Sequence, residues 1–276
     1  MDCIFQRFWH TNVRLHKDEL LVNTTYNGTD REICARMILE PETFLVQQAW
    51  WEIYRGPGET TPRHTQIDGL KGMKAYFGCG ETLKTALAPL HAPEAKELFA
   101  EGVRGVIQAE TFLVEQRGYL SPQQYEEYWD SIYQNACRYY SNMERVTTKW
   151  YEHVGYYERT GCLFNRMKSQ SMYRGEKAYL LAAHLHDSFH SVAVELELEK
   201  NEGLIIDSRG DILRAPDSVC KEATVFMDKL KGTFLPEMKK KEIAFLLGAG
   251  NGCVHLIDLV TDGSQTFFLC KFMERN

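Results

Sequence analysis

The fold is indicated most clearly by residues 190–198, which read HSVAVELEL. Valine or leucine occupies every second position from Val192 to Leu198, and polar or small residues lie between them. Alternation with a period of two is typical of a β-strand that buries one side. Similar alternation over 162–173 and 178–186, with polar turns between the runs, predicts an antiparallel sheet.

Beyond this sheet the apolar residues recur at helical spacing. Asp217 or Ser218 can cap a first helix, and Gly232 marks its end. Pro236 suits the first turn of a second helix, and a third helix is predicted to begin near Gly252. A sheet followed by helices indicates the α+β class.

The chain also matches itself when it is shifted by 159 residues. Ten positions are identical between residues 3–57 and 162–216, and many others pair apolar with apolar side chains. We therefore predict a tandem duplication of one sheet-plus-helices unit, with copies at 1–118 and 160–276. Two fused copies are expected to mimic a twofold dimer, so the prediction is pseudo-twofold symmetry.

Residues 119–159 connect the two predicted copies. From Ser121-Pro122 to about residue 149, tyrosine and tryptophan recur at steps of three and four residues. This spacing predicts one long, aromatic-rich amphipathic helix. Its aromatic stripe either packs in the core or lines a ligand pocket between the repeats.

The amino-acid composition and net charge limit the kinds of molecule that the protein is expected to bind. The chain has 276 residues, 44% of them hydrophobic and 25% charged, and a net charge of −6. This acidic balance argues against nucleic acid or a membrane surface as the main partner, and leaves a small molecule. No apolar run approaches the roughly 20 residues that span a bilayer, and the first residues lack a signal-peptide pattern. We expect a cytoplasmic monomer or homodimer.

The second copy carries the residues best suited to chemistry. Cys253 and His255 follow a glycine-rich turn at 248–252, Cys220 lies in the first turn of the preceding helix, and His190 begins a strand. Two thiols and two imidazoles from separate elements suit a tetrahedral site for zinc, or for iron. We therefore predict a metal site made by these four side chains.

Neighbouring residues extend this prediction. Asp258 lies one turn after His255 and is placed to accept the second ring N–H of that imidazole. The start of a helix favours a thiolate at Cys253. His184 and His186 share one face of a strand and form an alternative metal cluster with the following Asp-x-x-His.

The first copy lacks the cysteine and histidine set. The shift places Arg31 opposite His190, and the counterpart of residues 253–255 is predicted to be Val106-Ile107-Gln108. This difference favours one functional copy and one supporting copy. The glycine-rich turn offers a second interpretation, a phosphate cradle, although it follows a predicted helix rather than a strand.

The second copy resembles a bacterial family of uncharacterised proteins. Members of that family end in Gly-Cys-Thr-His-Leu-x-Glu-Leu, preceded by Pro-x-x-x-Cys and a histidine at the start of a strand. The matching residues here are Gly252–Leu259, Pro216–Cys220 and His190, and the likeness covers about 160–270. Val254 replaces the threonine and Asp258 the glutamate. The resemblance supports the grouping of the four predicted ligands and names no reaction.

The sequence as a whole predicts a metal-binding protein with its site in the second repeat, and leaves open whether it is a metalloenzyme acting on a small molecule. The alternative is a non-catalytic small-molecule or partner-binding module with a pocket between the repeats.

Overall fold

The structure, a computed structural model, describes residues 1–155 and 158–275. The strands are β1 (Asp2–His16), β2 (Glu19–Gly28), β3 (Glu32–Leu39), β4 (Val46–Arg55), β5 (Arg63–Gln66), β6 (Cys162–Arg174), β7 (Ala178–Asp187), β8 (Ser191–Glu199) and β9 (Ile205–Arg214). The α-helices are α1 (Gly80–Leu87), α2 (Pro93–Ala109), α3 (Pro122–Ile132), α4 (Trp150–Val154), α5 (Lys240–Leu246) and α6 (Val254–Arg275).

The fold is α+β, as predicted, with a nine-stranded antiparallel sheet and several helices. The strands lie in the order β5-β4-β3-β2-β1-β6-β7-β8-β9. The chain divides into two compact units. Unit 1 comprises Met1–Arg7, Glu126–Tyr156 and Lys168–Asn276, and unit 2 comprises Phe8–Tyr125 and Tyr157–Met167. Within the described parts of these units, no helix combines the length and apolar character that crossing a membrane requires.

Unit 1 is built on β7, β8 and β9, which form antiparallel hairpins. The strands predicted from alternation are confirmed, and a further strand, β9, follows them and extends to Arg214. The apolar face of β8, from Val192 to Leu198, is buried in a core cluster that includes Leu256 and Leu259 of α6. Phe5, from the opposite end of the chain, belongs to the same cluster.

The helical part of unit 1 differs in detail from the prediction. Asp217 caps the first helix by accepting a hydrogen bond from the backbone N–H of Val219 at 2.9 Å, but that helix, Ser218–Leu230, is of the 3₁₀ type. The second predicted helix is split into a 3₁₀ turn at Leu235–Glu237 and the short α5. The third becomes α6, which is 22 residues long.

The prediction of one long helix between the two copies is wrong. Only α3 is helical at the start of this stretch, and residues 133–149, here called the connector, form turns with one short 3₁₀ segment. Asn135 has a positive φ of 63°, which ends helical geometry. Tyr133 stacks on Trp129 at 4.6 Å and on Tyr140 at 5.2 Å between ring centroids. The aromatic residues therefore pack on one another across turns rather than along one helix face.

Unit 2 also combines an antiparallel sheet with helices. Its strands β2, β3 and β4 pair as antiparallel neighbours, with β5 at the edge. Helix α2 packs on β2 and β3, where Gly102 lies so close to the side chains of Met37, Thr24 and Val22 that an added Cβ would be 3.0–3.3 Å from them. Glycine at this position lets the helix approach the sheet.

Candidate metal site

The turn between β7 and β8 is held by Asp187, whose side chain is fully buried. Its Oδ1 accepts hydrogen bonds from the backbone N–H groups of Phe189 at 2.8 Å and His190 at 2.6 Å. The Arg214 guanidinium donates to the carbonyls of Asp187 and Ser188, at 2.5 and 2.8 Å. The turn is therefore fixed from inside by a carboxylate and from outside by a guanidinium.

Two histidines meet at this turn. His190 immediately precedes β8, and its Nδ1 lies 3.2 Å from Asp187 Oδ1. His255 lies in the first turn of α6, and its ring centroid is 4.2 Å from that of His190. Ligand atoms of Asp187, His190 and His255 all lie within 4.8 Å of one another. In the part of the chain that the structure describes, this is the one group of three ligand-type side chains so closely spaced.

The glycine-rich turn positions the start of α6. Gly248 has a φ of +88° and lies against the ring of Phe226, while a Cβ on Gly250 would be 2.3 Å from the carbonyl oxygen of Asn135. Ser141 Oγ donates to the carbonyl of Gly250 at 2.7 Å. This turn is packed against the connector, so its glycines serve close contact with protein and not the phosphate cradle of the alternative interpretation.

Cys253 lies beside the histidine pair. Its Sγ is 3.9 Å from His255 Nδ1. Burial raises the pKa of Cys253 to about 12 and outweighs the lowering effect of hydrogen bonds from the N–H groups of Leu256 and His255. The thiolate predicted from the helix start is therefore not the resting form, because desolvation exceeds the effect of the helix terminus.

Cys220 lies outside the close group. It occupies the first turn of the 3₁₀ helix and is half-buried. Burial raises its pKa to about 11. Of the four predicted ligands, His190 and His255 meet in the close group, Cys253 lies next to His255, and Cys220 is not part of the group.

The predicted positioning carboxylate, Asp258, contacts a lysine of α5. Its Oδ1 accepts a hydrogen bond from Lys240 Nζ at 2.6 Å. The carboxylate beside His190 is Asp187, which belongs to the Asp-x-x-His part of the alternative motif. His184 and His186 point to the other face of β7: their rings stack 6.3 Å apart, and His186 Nδ1 is 2.8 Å from Ser191 Oγ. The alternative motif thus contributes Asp187 and not its first two histidines.

A third histidine near the site was missed in the sequence. His153, in α4, bonds through Nε2 to the carbonyl of Phe189 at 2.9 Å. Burial lowers the pKa of His153, which favours its neutral form. Trp150 from the same helix packs on the Phe189 ring at 4.8 Å between centroids. The only sequence signal was a histidine within an amphipathic stretch, which is too common to single out.

The residue that the predicted repeat places opposite His190 forms ion pairs. This residue, Arg31, pairs with Asp30 at 2.9 Å and with Glu94. Glu94 lies in the first turn of α2, as His255 lies in the first turn of α6. Residues 106–108, the predicted counterpart of 253–255, lie near the end of α2 and not at a helix start.

Comparison with known proteins shows similarity to one family, which is described as having an unknown function. Residues 150–268 match the model of a family described as a protein of unknown function, DUF2889. The match contains the whole Asp187–His190–His255 group and Cys253. This part of the chain is therefore similar to an uncharacterised family, in keeping with the resemblance drawn from the sequence. No curated protein and no solved structure matches the chain.

Proposed function

We propose that the chain binds one divalent transition metal ion, zinc or iron, through Asp187, His190 and His255. The observation that carries this proposal is the convergence of one carboxylate and two imidazoles within 4.8 Å, from a buried turn and a helix start. Two histidines with one carboxylate are a ligand set used by catalytic zinc and by non-haem iron. Two of these ligands, His190 and His255, are also predicted from the sequence. The third, Asp187, belongs to the Asp-x-x-His part of the alternative motif.

The Asp187–His190 distance supports this assignment. Adjacent ligands around a tetrahedral zinc are about 3.4 Å apart when each bond is 2.0–2.2 Å. Asp187 Oδ1 and His190 Nδ1 are 3.2 Å apart, so an ion can take the place of the proton between them with little movement. The two backbone N–H groups that bond Asp187 keep its carboxylate in position for that exchange.

Three protein ligands leave at least one coordination position for water or a small molecule. A metal ion there supplies a Lewis acid and an acidified water. We propose a small organic substrate on this basis, because the chain is acidic overall and the ligand cluster is partly exposed, with His190 at 15% side-chain exposure. A reducing, cytoplasmic setting is consistent with eight cysteines that are all free thiols.

The test is metal content of the purified full chain. We expect close to one equivalent in the wild type and a loss of about tenfold or more in affinity for His190→Ala and His255→Ala. His184→Ala and His186→Ala are matched controls, since both histidines lie on β7 but on the other face. Retention of metal by the first pair, or its loss in the second, would contradict the proposal.

We also propose that residues 1–118 and 160–276 descend from a duplication and that only the second copy kept the site. Irregular pairing between β3 and β4 falls at Glu32/Ile33 and at Ile38/Leu39. Irregular pairing between β8 and β9 falls at Ser191/Val192 and at Glu197/Leu198. Each position in the second pair lies 159 residues after its counterpart, which is the shift found in the sequence. Matching irregularities support common descent more strongly than matching strands do, because a bulge is a specific feature.

Hydrogen bonds at the hairpins support the same proposal. Arg55 donates to the carbonyls of Gly28 and Thr29, and Arg214, at the same spacing, donates to those of Asp187 and Ser188. The replacement of a histidine pair by Arg31 and Glu94 in unit 2 is then a change at one place in a shared scaffold. We further infer that the family matched by residues 150–268 is the one with the Gly-Cys-Thr-His-Leu ending.

A further inference from the structure

The connector brings Cys137 close to the two cysteines that were predicted as ligands. The backbone N–H of Arg138 donates to the carbonyl of Gly252 at 2.8 Å, immediately before Cys253. The side-chain Nε of Arg138 donates to the carbonyl of Val219 at 3.2 Å, immediately before Cys220. Arg138, which follows Cys137, therefore bonds to the residue before Cys253 and to the residue before Cys220.

The contact between the connector and the start of α6 is the tighter of the two. Besides the Arg138–Gly252 backbone bond, Ser141 Oγ donates to the Gly250 carbonyl at 2.7 Å. The close approach of Asn135 to Gly250 completes this contact. Cys137 and Cys253 are each half-buried free thiols in this region. The main-chain contact brings the backbone next to Cys137 close to the backbone next to Cys253, as a disulfide requires.

We propose that Cys137 and Cys253 form a reversible disulfide and that this bond regulates the metal site. The proposal about regulation rests on the metal binding proposed above, whereas the disulfide itself does not. When it forms, two S–H bonds break and one S–S bond forms. A peroxide takes up the two electrons and two protons and is reduced to water; with a small-molecule disulfide as oxidant, the same electrons and protons yield two thiols.

The expected consequence is weaker metal binding in the oxidised form. Cys253 Sγ is now 3.9 Å from His255 Nδ1. A bond to Cys137 turns this sulfur toward the connector and tethers the residue before α6, so the first turn that carries His255 is displaced. A shift of one ligand is enough to weaken a site that depends on three.

The experiment oxidises the full-length, zinc-loaded protein with hydrogen peroxide or glutathione disulfide. Peptide mapping by mass spectrometry should find residues 137 and 253 cross-linked with the loss of two hydrogens. Zinc affinity, measured by chelator competition, should fall about tenfold and return on reduction with dithiothreitol. In Cys137→Ser, and in Cys137→Ala if serine is not tolerated, oxidation should leave zinc affinity unchanged.

Cys79→Ser is the matched control, since Cys79 is a half-buried thiol in unit 2, and it should behave as the wild type. A Cys137–Cys220 cross-link, or none between residues 137 and 253, would overturn the proposal. So would a Cys137–Cys253 cross-link that leaves zinc affinity unaltered. If the reduced wild type binds no metal, the metal proposal fails by itself and the cross-link map still decides whether the disulfide forms.

Discussion

Asp187 combines a structural role with a proposed role as ligand. Its Oδ1 accepts two backbone hydrogen bonds and lies 3.2 Å from His190 Nδ1. Asparagine retains an acceptor oxygen for the turn but loses the negative charge. We expect Asp187→Asn to keep the fold and to weaken metal binding about tenfold or more, as measured by chelator competition.

The exposed Asp228 provides the control for that substitution. Its side chain is 77% exposed and pairs with Lys231 at the surface. Asp228→Asn should leave metal affinity unchanged. Equal affinity in the wild type and Asp187→Asn would remove Asp187 from the ligand set and leave it as a turn residue only.

Asp217 predicts a pH dependence of stability. Burial alone would raise its pKa, but hydrogen bonds from the N–H groups of Val219, Thr148 and Thr147 hold it well below the ordinary value. The resulting stabilisation is complete above the unfolded pKa of about 3.9 and is lost as pH falls through the folded pKa. Urea unfolding should show Asp217→Ala to be less stable by about 2–3 kcal/mol at pH 7, with a smaller difference near pH 2.

A surface carboxylate should not behave this way. Asp228→Ala is expected to change the unfolding free energy by less than about 0.5 kcal/mol at either pH, because surface ion pairs contribute little. A pH-independent effect of Asp217→Ala would show that its hydrogen bonds, and not its charge, account for the loss.

The sequence predicts the two histidines of the candidate site but only part of their surroundings. His190 and His255 are predicted as ligands because both residue types and their places at element starts favour ligation. Asp258 is predicted as the partner of His255 because the two residues are close in sequence, and in the structure Lys240 from α5 donates to it. Asp187 approaches His190 through the geometry of the turn before β8, which the spacing of residue types alone does not determine.

At the scale of elements, the connector and the glycine-rich turn form one contact. Gly250→Ala places a Cβ 2.3 Å from the Asn135 carbonyl, so the two segments must move apart. We expect a loss of about 1–3 kcal/mol in unfolding free energy and weaker metal binding, because α6 begins directly after this turn. Thermal and urea unfolding, together with metal content, check this expectation.

Gly80→Ala is the comparison, since nothing lies within 4 Å of an added Cβ at the start of α1. It should be neutral or slightly stabilising, because alanine is the better helix former. Similar losses in both variants would indicate a general effect of replacing glycine and would argue against the contact.

The arginines that fasten the two hairpins provide a second matched pair. Arg214→Met removes hydrogen bonds to the turn that carries Asp187 and His190, whereas Arg55→Met removes the equivalent bonds in unit 2. Both should lose stability, but we expect only Arg214→Met to reduce metal affinity, by about tenfold. Calorimetric metal titration of the two variants separates these outcomes; a reduction in both would mean that the effect is not local.

The sheet was predictable from the sequence, and the connector was not. Strands β6, β7 and β8 alternate because every second side chain is buried and those between are more exposed. The aromatic residues of 121–149 have helical spacing, but the segment after Ile132 is not one helix. It forms hydrogen bonds within its own turns and to the carbonyls of Gly250 and Gly252. Periodicity reports which residues are buried, and aromatic side chains can be buried equally well by stacking on each other.

At the scale of the whole molecule, unit 1 depends on the first seven residues of the chain. Phe5 is 1% exposed and belongs to the core cluster of that unit. We expect Phe5→Ala to cost about 3–5 kcal/mol and to reduce metal retention, although the site lies more than 180 residues away in the sequence. Phe8, which is 45% exposed, gives the control: Phe8→Ala should cost under about 1 kcal/mol in the same unfolding assay.

The discontinuous make-up of unit 1 also sets an order of events during synthesis. Residues 1–7 leave the ribosome first, but the strands and helix that cover them, from Lys168 onward, emerge last. Unit 2 has all its segments once residue 167 is made, so it can close while its neighbour still waits for its C-terminal part. Unit 1 is thus the last of the two to have all its segments, and Phe5 meets most of its core cluster only after the residues from 168 onward have been made.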